Sequence, residues 1–197
     1  MASIWDLYQS HPSFVLGFHG TEKSIVAGLI DRTTPHLKRS AGSYEWLGHG
    51  IYFWEYAPQQ AWRWAERRYA GRREPIAVLA AMIRLGNCFD LLDPLNARTL
   101  VRFNHDMTRT LEEAGRRVPR NYNARKRLDC ATLQFAYAAL EQEGEPVDTC
   151  RAVYVPTSGK DRLWERSWLY HETHIQVCVR NPACILGCWL ARMDEES

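Results

Sequence analysis

No Cys-x-x-Cys pair occurs among the six cysteines, which argues against a structural zinc site. No stretch approaches the ~20 apolar residues that a membrane-spanning helix needs, so no membrane association is expected. The N-terminal residues lack an apolar segment followed by a cleavage site. The expectation is a cytoplasmic protein whose cysteines stay reduced and serve as small buried hydrophobes. Neither sign of charge dominates, because 25 Lys and Arg against 23 Asp and Glu leave a net +2, short of the field of a dedicated nucleic-acid binder. Internal repeats and low-complexity tracts are missing as well.

What remains is a 197-residue chain with 46% hydrophobic and 24% charged residues, enough for one packed domain. Its charge is locally uneven. Arg67, Arg68, Arg72 and Arg73 form one basic cluster, and Arg116, Arg117, Arg120, Arg125, Lys126 and Arg127 form another.

In chain order, residues 4–8 suggest a short helix, and Phe14-Val15-Leu16-Gly17-Phe18 is an apolar run of strand length ending in His19-Gly20-Thr21. Thr21 is expected to cap a helix over 22–29, where Ile25, Val26 and Leu29 recur at helical spacing. Residues 30–46 mix Thr, Pro, Ser, Gly and charge without a period and read as a long loop, a length that in compact domains tends to be functional. Gly48-His49-Gly50 leads into a strand over 51–54, and Pro58 opens a helix reaching about Tyr69. Further strands are predicted over 76–85, 88–92, 151–155, 174–180 and 184–190, with helices over 96–114 and 128–143. Strands before, between and after helices, without βαβ alternation, predict an α+β fold. One domain would span 1–197, with 96–143 as a helical insertion.

Alternation along the strands separates two faces. Tyr52 and Trp54 share one, Ile51 and Phe53 the other; Ile175, Val177 and Val179 form an apolar face opposite His174, Gln176 and Cys178.

Three segments, Phe18-His19-Gly20-Thr21, Gly48-His49-Gly50-Ile51-Tyr52-Phe53 and the strand holding Gln176, together resemble the signature motifs of the H-Y-E class of ADP-ribosyltransferases, which includes diphtheria toxin and the poly(ADP-ribose) polymerases. The resemblance implies that class's fold, split mixed or antiparallel sheets with flanking helices. It also implies NAD+ as co-substrate, no metal, and a catalytic trio of His19, Tyr52 and Gln176. His19 would hold a ribose hydroxyl, Gly20 would grip the nicotinamide carboxamide through its main chain, and the Tyr52 ring would stack on nicotinamide. Thr21, Gln60 and Trp62 would complete the cofactor contacts, with Trp64 as the alternative to Trp62. Arg32 and Arg39, with Lys38, would neutralise the pyrophosphate.

The class usually carries glutamate where Gln176 stands, with Glu172 the alternative third residue here. An amide can hydrogen-bond a ribose hydroxyl but cannot take up a proton as a carboxylate does. Mono-ADP-ribosyl transfer is therefore implied rather than polymer growth. The acceptor should be an intrinsically nucleophilic atom or one deprotonated by His174, Glu172 or Asp161. Lys160, Arg162, Trp164 and Trp168, with Glu172 and His174, would form the acceptor side, and cations interleaved with aromatics favour RNA or DNA bases. Small enzymes of this kind are similar to toxins of bacterial toxin–antitoxin and phage-defence systems, which implies an antitoxin partner. Three other readings stay open: a protein acceptor, NAD+ glycohydrolysis, and a silent module that binds nucleic acid or ADP-ribose.

Overall fold

The computed structural model describes residues 14–122, 125–155 and 161–193. The helix expected over 4–8 and the candidate Lys160 lie outside them.

Seven strands form one sheet in the order β4-β5-β6-β2-β1-β3-β7. They are β1 (Phe14–Glu22), β2 (Ile51–Glu55), β3 (Ile76–Arg84), β4 (Cys88–Asp90), β5 (Thr149–Tyr154), β6 (His174–Val179) and β7 (Ile185–Leu190). Only β4 and β5 run parallel; every other pair is antiparallel. The helices are α1 (Lys23–Ile30), α2 (Pro58–Arg68), α3 (Pro94–Glu113) and α4 (Arg127–Gln142). The α+β class follows. Instead of separate sheets, the strands make one hydrogen-bonded sheet that narrows to two register pairs, Gly17↔Glu55 and Phe18↔Trp54, where β1 meets β2.

Local chemistry accounts for most element boundaries. Pro58 and Pro94 sit in the first turns of α2 and α3, where a missing N–H costs nothing, and the Asp93 side chain caps α3 by accepting from the Leu95 N–H. Thr21 does not cap α1. Strand β1 pairs with β3 over its whole length, from Phe14↔Arg84 to Glu22↔Ile76, and this ladder carries Thr21 and Glu22 into the sheet. The Thr21 side chain is buried, with its hydroxyl 3.4 Å from the Tyr69 hydroxyl.

Alternation divides the core as predicted. Ile51, Phe53, Val177 and Val179 lie on one face with Leu79, Ala81 and Ile83, closed by Val26 of α1. On the opposite face α2 covers Trp54 and Val78 through Ala61, while Leu133 and Tyr137 of α4 cover Cys150, Ala152 and Cys178. Between α2 and α4 that face stays open to other residues. The 31–50 segment serves both faces: Leu37 is buried in the first core and Leu47 in the second, and Ser40 bridges to Gly50. All six cysteines are free thiols, four of them buried. Among the described residues no helix is long and apolar enough to cross a membrane.

Candidate active site between β1 and β2

The Tyr56 N–H donates to the Leu16 carbonyl at 2.9 Å, so Leu16, and by alternation Phe18 and Gly20, direct their main-chain groups toward β2. Continued ladder pairing would join Gly20 to Tyr52, but the register ends at Phe18↔Trp54. The Tyr52 carbonyl instead accepts from His19 Nδ1 at 2.7 Å. A carbonyl only accepts, so Nδ1 carries the proton and Nε2 of the neutral ring is an acceptor. Nε2 has no hydrogen-bond partner among the described residues.

His19 belongs by register to the face of Leu79, yet its ring lies 5.8 Å from the Phe53 ring and 6.4 Å from that of Trp64 on α2, across the sheet. This is possible because the strands part. Burial holds the His19 imidazole below its usual pKa, against the opposing effect of its bond to Tyr52, and so keeps it neutral.

Gly20 is glycine for a reason of packing. A Cβ there would sit 2.1 Å from the Ala61 carbonyl oxygen and 2.8 Å from Ala65 Cβ. Gly20→Ala should force α2 off the sheet and cost about 1–3 kcal/mol or more. That corresponds to a melting temperature lower by roughly 5–10 °C, checked by thermal unfolding.

Tyr52 and Gln176 share the face between α2 and α4, since Tyr52 pairs with Cys178 and Trp54 with Gln176. The Tyr52 hydroxyl donates to the Gly48 carbonyl at 2.7 Å and accepts from the Leu47 N–H at 3.0 Å, and burial pushes its pKa up. Its polar tip is thus spent on the turn, and only the ring can meet a ligand. Gly48 makes that turn with φ +77° and no room for a side chain, because a Cβ would lie 2.7 Å from Gln134 Oε1.

Gln176 is buried, with its Oε1 accepting from Trp46 Nε1 at 2.7 Å. An indole N–H only donates, which fixes the amide: Nε2 faces away from Trp46 as a donor. Trp46 lies in the aperiodic loop and had no sequence signal. It leads a chain of rings in which Tyr154 is 5.9 Å from Trp46 and stacks on His174 at 4.9 Å, and Trp54 is 6.2 Å from His174 and 5.5 Å from Trp64. Trp62 and Trp64 both pack against the Trp54, Ala61 and Val78 cluster, and the Trp64 ring also stands beside His19.

The other candidates divide. Gln60 Nε2 donates to the His171 carbonyl at 3.0 Å, and Arg67 pairs with Glu172 at 2.5 Å, so two contacts tie the loop before β6 to α2. Asp161 accepts from the Glu172 N–H at 3.2 Å. His174 donates from Nδ1 to the Glu172 carbonyl at 2.5 Å; burial lowers its pKa, and its Nε2 is enclosed without a partner. Of the proposed bases, His174 is in the right protonation state but sealed, while the Glu172 carboxylate is only half-buried. Arg162 lies over the Tyr170 ring at 5.2 Å, and Trp164 and Trp168 are 61% and 89% exposed, an unusual display of indole. Arg32 is exposed at the end of α1 with φ 58°, and Arg39 is exposed beside the Ser40–Gly50 bridge; neither touches the His19 cluster through a hydrogen bond among the described residues. A cavity of about 640 Å3 lies elsewhere, around His49 and Gln134, and includes none of His19, Tyr52 and Gln176.

Comparisons with protein-family models, curated proteins and solved structures give no match to the chain. Among the described residues no group of His, Cys, Asp and Glu could hold a metal ion.

The two depressed histidines predict a pH dependence of stability. His19 and His174 stay neutral when folded and protonate near pH 6.5 when unfolded, so the unfolded chain binds more protons below that pH. Stability should be fully present above about pH 6.5 and decline as the pH falls toward 5. Urea midpoints across that range check this, and a His19→Gln, His174→Gln double variant should show a flatter decline.

Proposed function

We propose that the chain is a mono-ADP-ribosyltransferase with the H-Y-E class fold in a His-Tyr-Gln form, which takes ADP-ribose from NAD+. The observation that carries this reading is the parting of β1 and β2 at Gly20 and Tyr52. It leaves the Gly20 N–H and C=O, a donor and an acceptor side by side, directed toward β2 beyond the end of the ladder, next to His19 with its Nε2 acceptor, while Gln176 on β6 carries an Nε2 donor. A primary carboxamide needs that donor–acceptor pair, and ribose hydroxyls can serve both His19 Nε2 and Gln176 Nε2. The partly buried rings of Tyr52 and Trp64 supply flat apolar surface for nicotinamide.

Transfer breaks the bond between nicotinamide and ribose C1′, with nicotinamide leaving neutral, and forms a bond from C1′ to the acceptor atom. The protein's share is positioning and electrostatics, since Gln176 takes no proton. The acceptor's proton, where it has one, goes to the Glu172 carboxylate once its exposed pairing with Arg67 yields. Such pairs are worth about 0–1 kcal/mol. The exposed Trp164 and Trp168 beside Arg162 favour a nucleic-acid base as acceptor, stacked on indole.

Incubation with NAD+ labelled in the adenylate, with separate RNA, DNA and protein pools, tests the reading. Label retained on RNA or DNA is the expected result. Label on protein reassigns the acceptor, free ADP-ribose alone makes the chain a glycohydrolase, and intact NAD+ in every pool ends the proposal. Arrested growth on induction in a bacterial host, relieved in a His19→Ala variant, is the outcome expected of a toxin.

A further inference from the structure

The helical segment and its basic connector have no part in the site above, yet they enclose the cavity of about 640 Å3. Arg117, Arg120 and Arg127 line it, together with Ser43, His49 and Gln134. Gln134 and His49 fix each other's orientation there. Gln134 Oε1 accepts from the His49 main-chain N–H at 3.0 Å, so its Nε2 is the atom 2.9 Å from His49 Nδ1. An amide nitrogen only donates; Nδ1 therefore accepts, and the neutral ring carries its proton on Nε2. No carboxylate lines the cavity. Arg67, Arg72, Arg109 and Arg151 each have an acidic partner, but Arg117, Arg120 and Arg127 have no hydrogen-bond or ion-pair partner among the described residues. Three arginines on the lining of one space, with no acidic partner among the described residues, raise the local positive potential, and an anion there lowers it.

We propose that this cavity binds the phosphodiester backbone of a single-stranded nucleic acid. Three separate cations suit successive phosphates better than one compact anion, and exposed Arg116 and Arg125 continue the positive surface along the same connector. Val118, Pro119 and Ala131 supply apolar wall for sugar and base. The cavity is joined to the candidate active site through one turn: Gln134 holds His49, and the neighbouring Gly48 carbonyl accepts from the Tyr52 hydroxyl. That a strand held here is the acceptor rests on the proposed transfer reaction; that it binds does not.

Fluorescence anisotropy of the full chain with a labelled single-stranded RNA of about 12 nucleotides, over a range of salt, tests the proposal. An Arg117→Gln, Arg120→Gln, Arg127→Gln variant should bind at least about ten-fold more weakly at ~100 mM salt, with a log–log salt slope shallower by roughly 2–3. Its melting temperature should match the wild type, since these side chains have no hydrogen-bond or ion-pair partner among the described residues to lose. A Lys23→Gln, Arg68→Gln, Arg73→Gln variant removes equal charge elsewhere and should bind like the wild type. Unchanged binding in the first variant, or equal weakening in the second, overturns the proposal. Displacement of the RNA by ATP, with ATP binding lost in the first variant, also overturns it and makes the cavity a nucleotide site. The His19→Ala variant should bind RNA normally, so loss of NAD+ turnover and loss of strand binding are read separately.

Discussion

A His19→Ala variant is expected to consume NAD+ about 10²–10³ times more slowly than the wild type, the range seen when a positioned hydrogen-bonding group is removed from an active site. Alanine also deletes the donor to the Tyr52 carbonyl and leaves space between Phe53 and Trp64, so part of the loss could come from the strands shifting. Leaving that carbonyl unpaired costs about 1–3 kcal/mol. Two conservative variants separate the contributions. Asparagine places an amide nitrogen where Nδ1 stands and keeps the clip to Tyr52, but has nothing at the position of Nε2. Glutamine reaches the Nε2 position with an amide oxygen or nitrogen and loses the clip. If the outward acceptor matters, His19→Asn melts near the wild type yet is as inactive as His19→Ala, while His19→Gln is less stable and keeps some turnover. A stable His19→Asn protein with normal NAD+ consumption would remove His19 from the chemistry.

The clip itself was not legible in the sequence. His19, Gly20 and Tyr52 announce themselves by motif, and alternation correctly separates Ile51 and Phe53 from Tyr52 and Trp54, because a half-buried strand has a strict two-residue period. Register is another matter. That β1 runs on to Glu22 against β3 while leaving β2 after Phe18 depends on which strands become neighbours, and no local pattern encodes that. For the same reason Thr21 has the chemistry of a helix cap and the position of a strand residue; nine ladder pairs with β3 outweigh one capping bond. Helices α1 to α4 were legible to within two residues from their apolar periods and, for α2, from Pro58; the start of α3 at Pro94, two residues before the predicted one, was not read from that proline. Trp46 was invisible for a different reason. Its hydrogen bond reaches 130 residues along the chain from a loop without period, and nothing in residues 30–46 marks one side chain as the partner of a distant amide.

That partner makes the second large effect predictable. With Oε1 held by Trp46, the Nε2 of Gln176 keeps N–H donors that have no partner among the described residues. Gln176→Ala removes them and strands the indole N–H, and should lower kcat for NAD+ consumption by about 10²-fold. Trp46→Phe keeps the amide but frees it to rotate. This should lower kcat by about ten-fold with little change in KM, the signature of an interaction that matters mainly in the transition state. Gln176→Glu is the most discriminating change. One carboxylate oxygen can still accept from Trp46, while the other turns an outward donor into an outward acceptor and, when ionised, a base. Burial at this position should raise its pKa above the ordinary glutamate value. Turnover should then acquire a pH dependence beyond that of the wild type, rising as the new carboxyl ionises. Water should compete as acceptor, so that free ADP-ribose increases relative to transferred label. If Gln176→Glu and wild type give the same products with the same pH profile, and Gln176→Ala is no slower than either, the buried amide has no role in breaking the glycosidic bond. Its bond to Trp46 is then only a tie between the loop and the sheet.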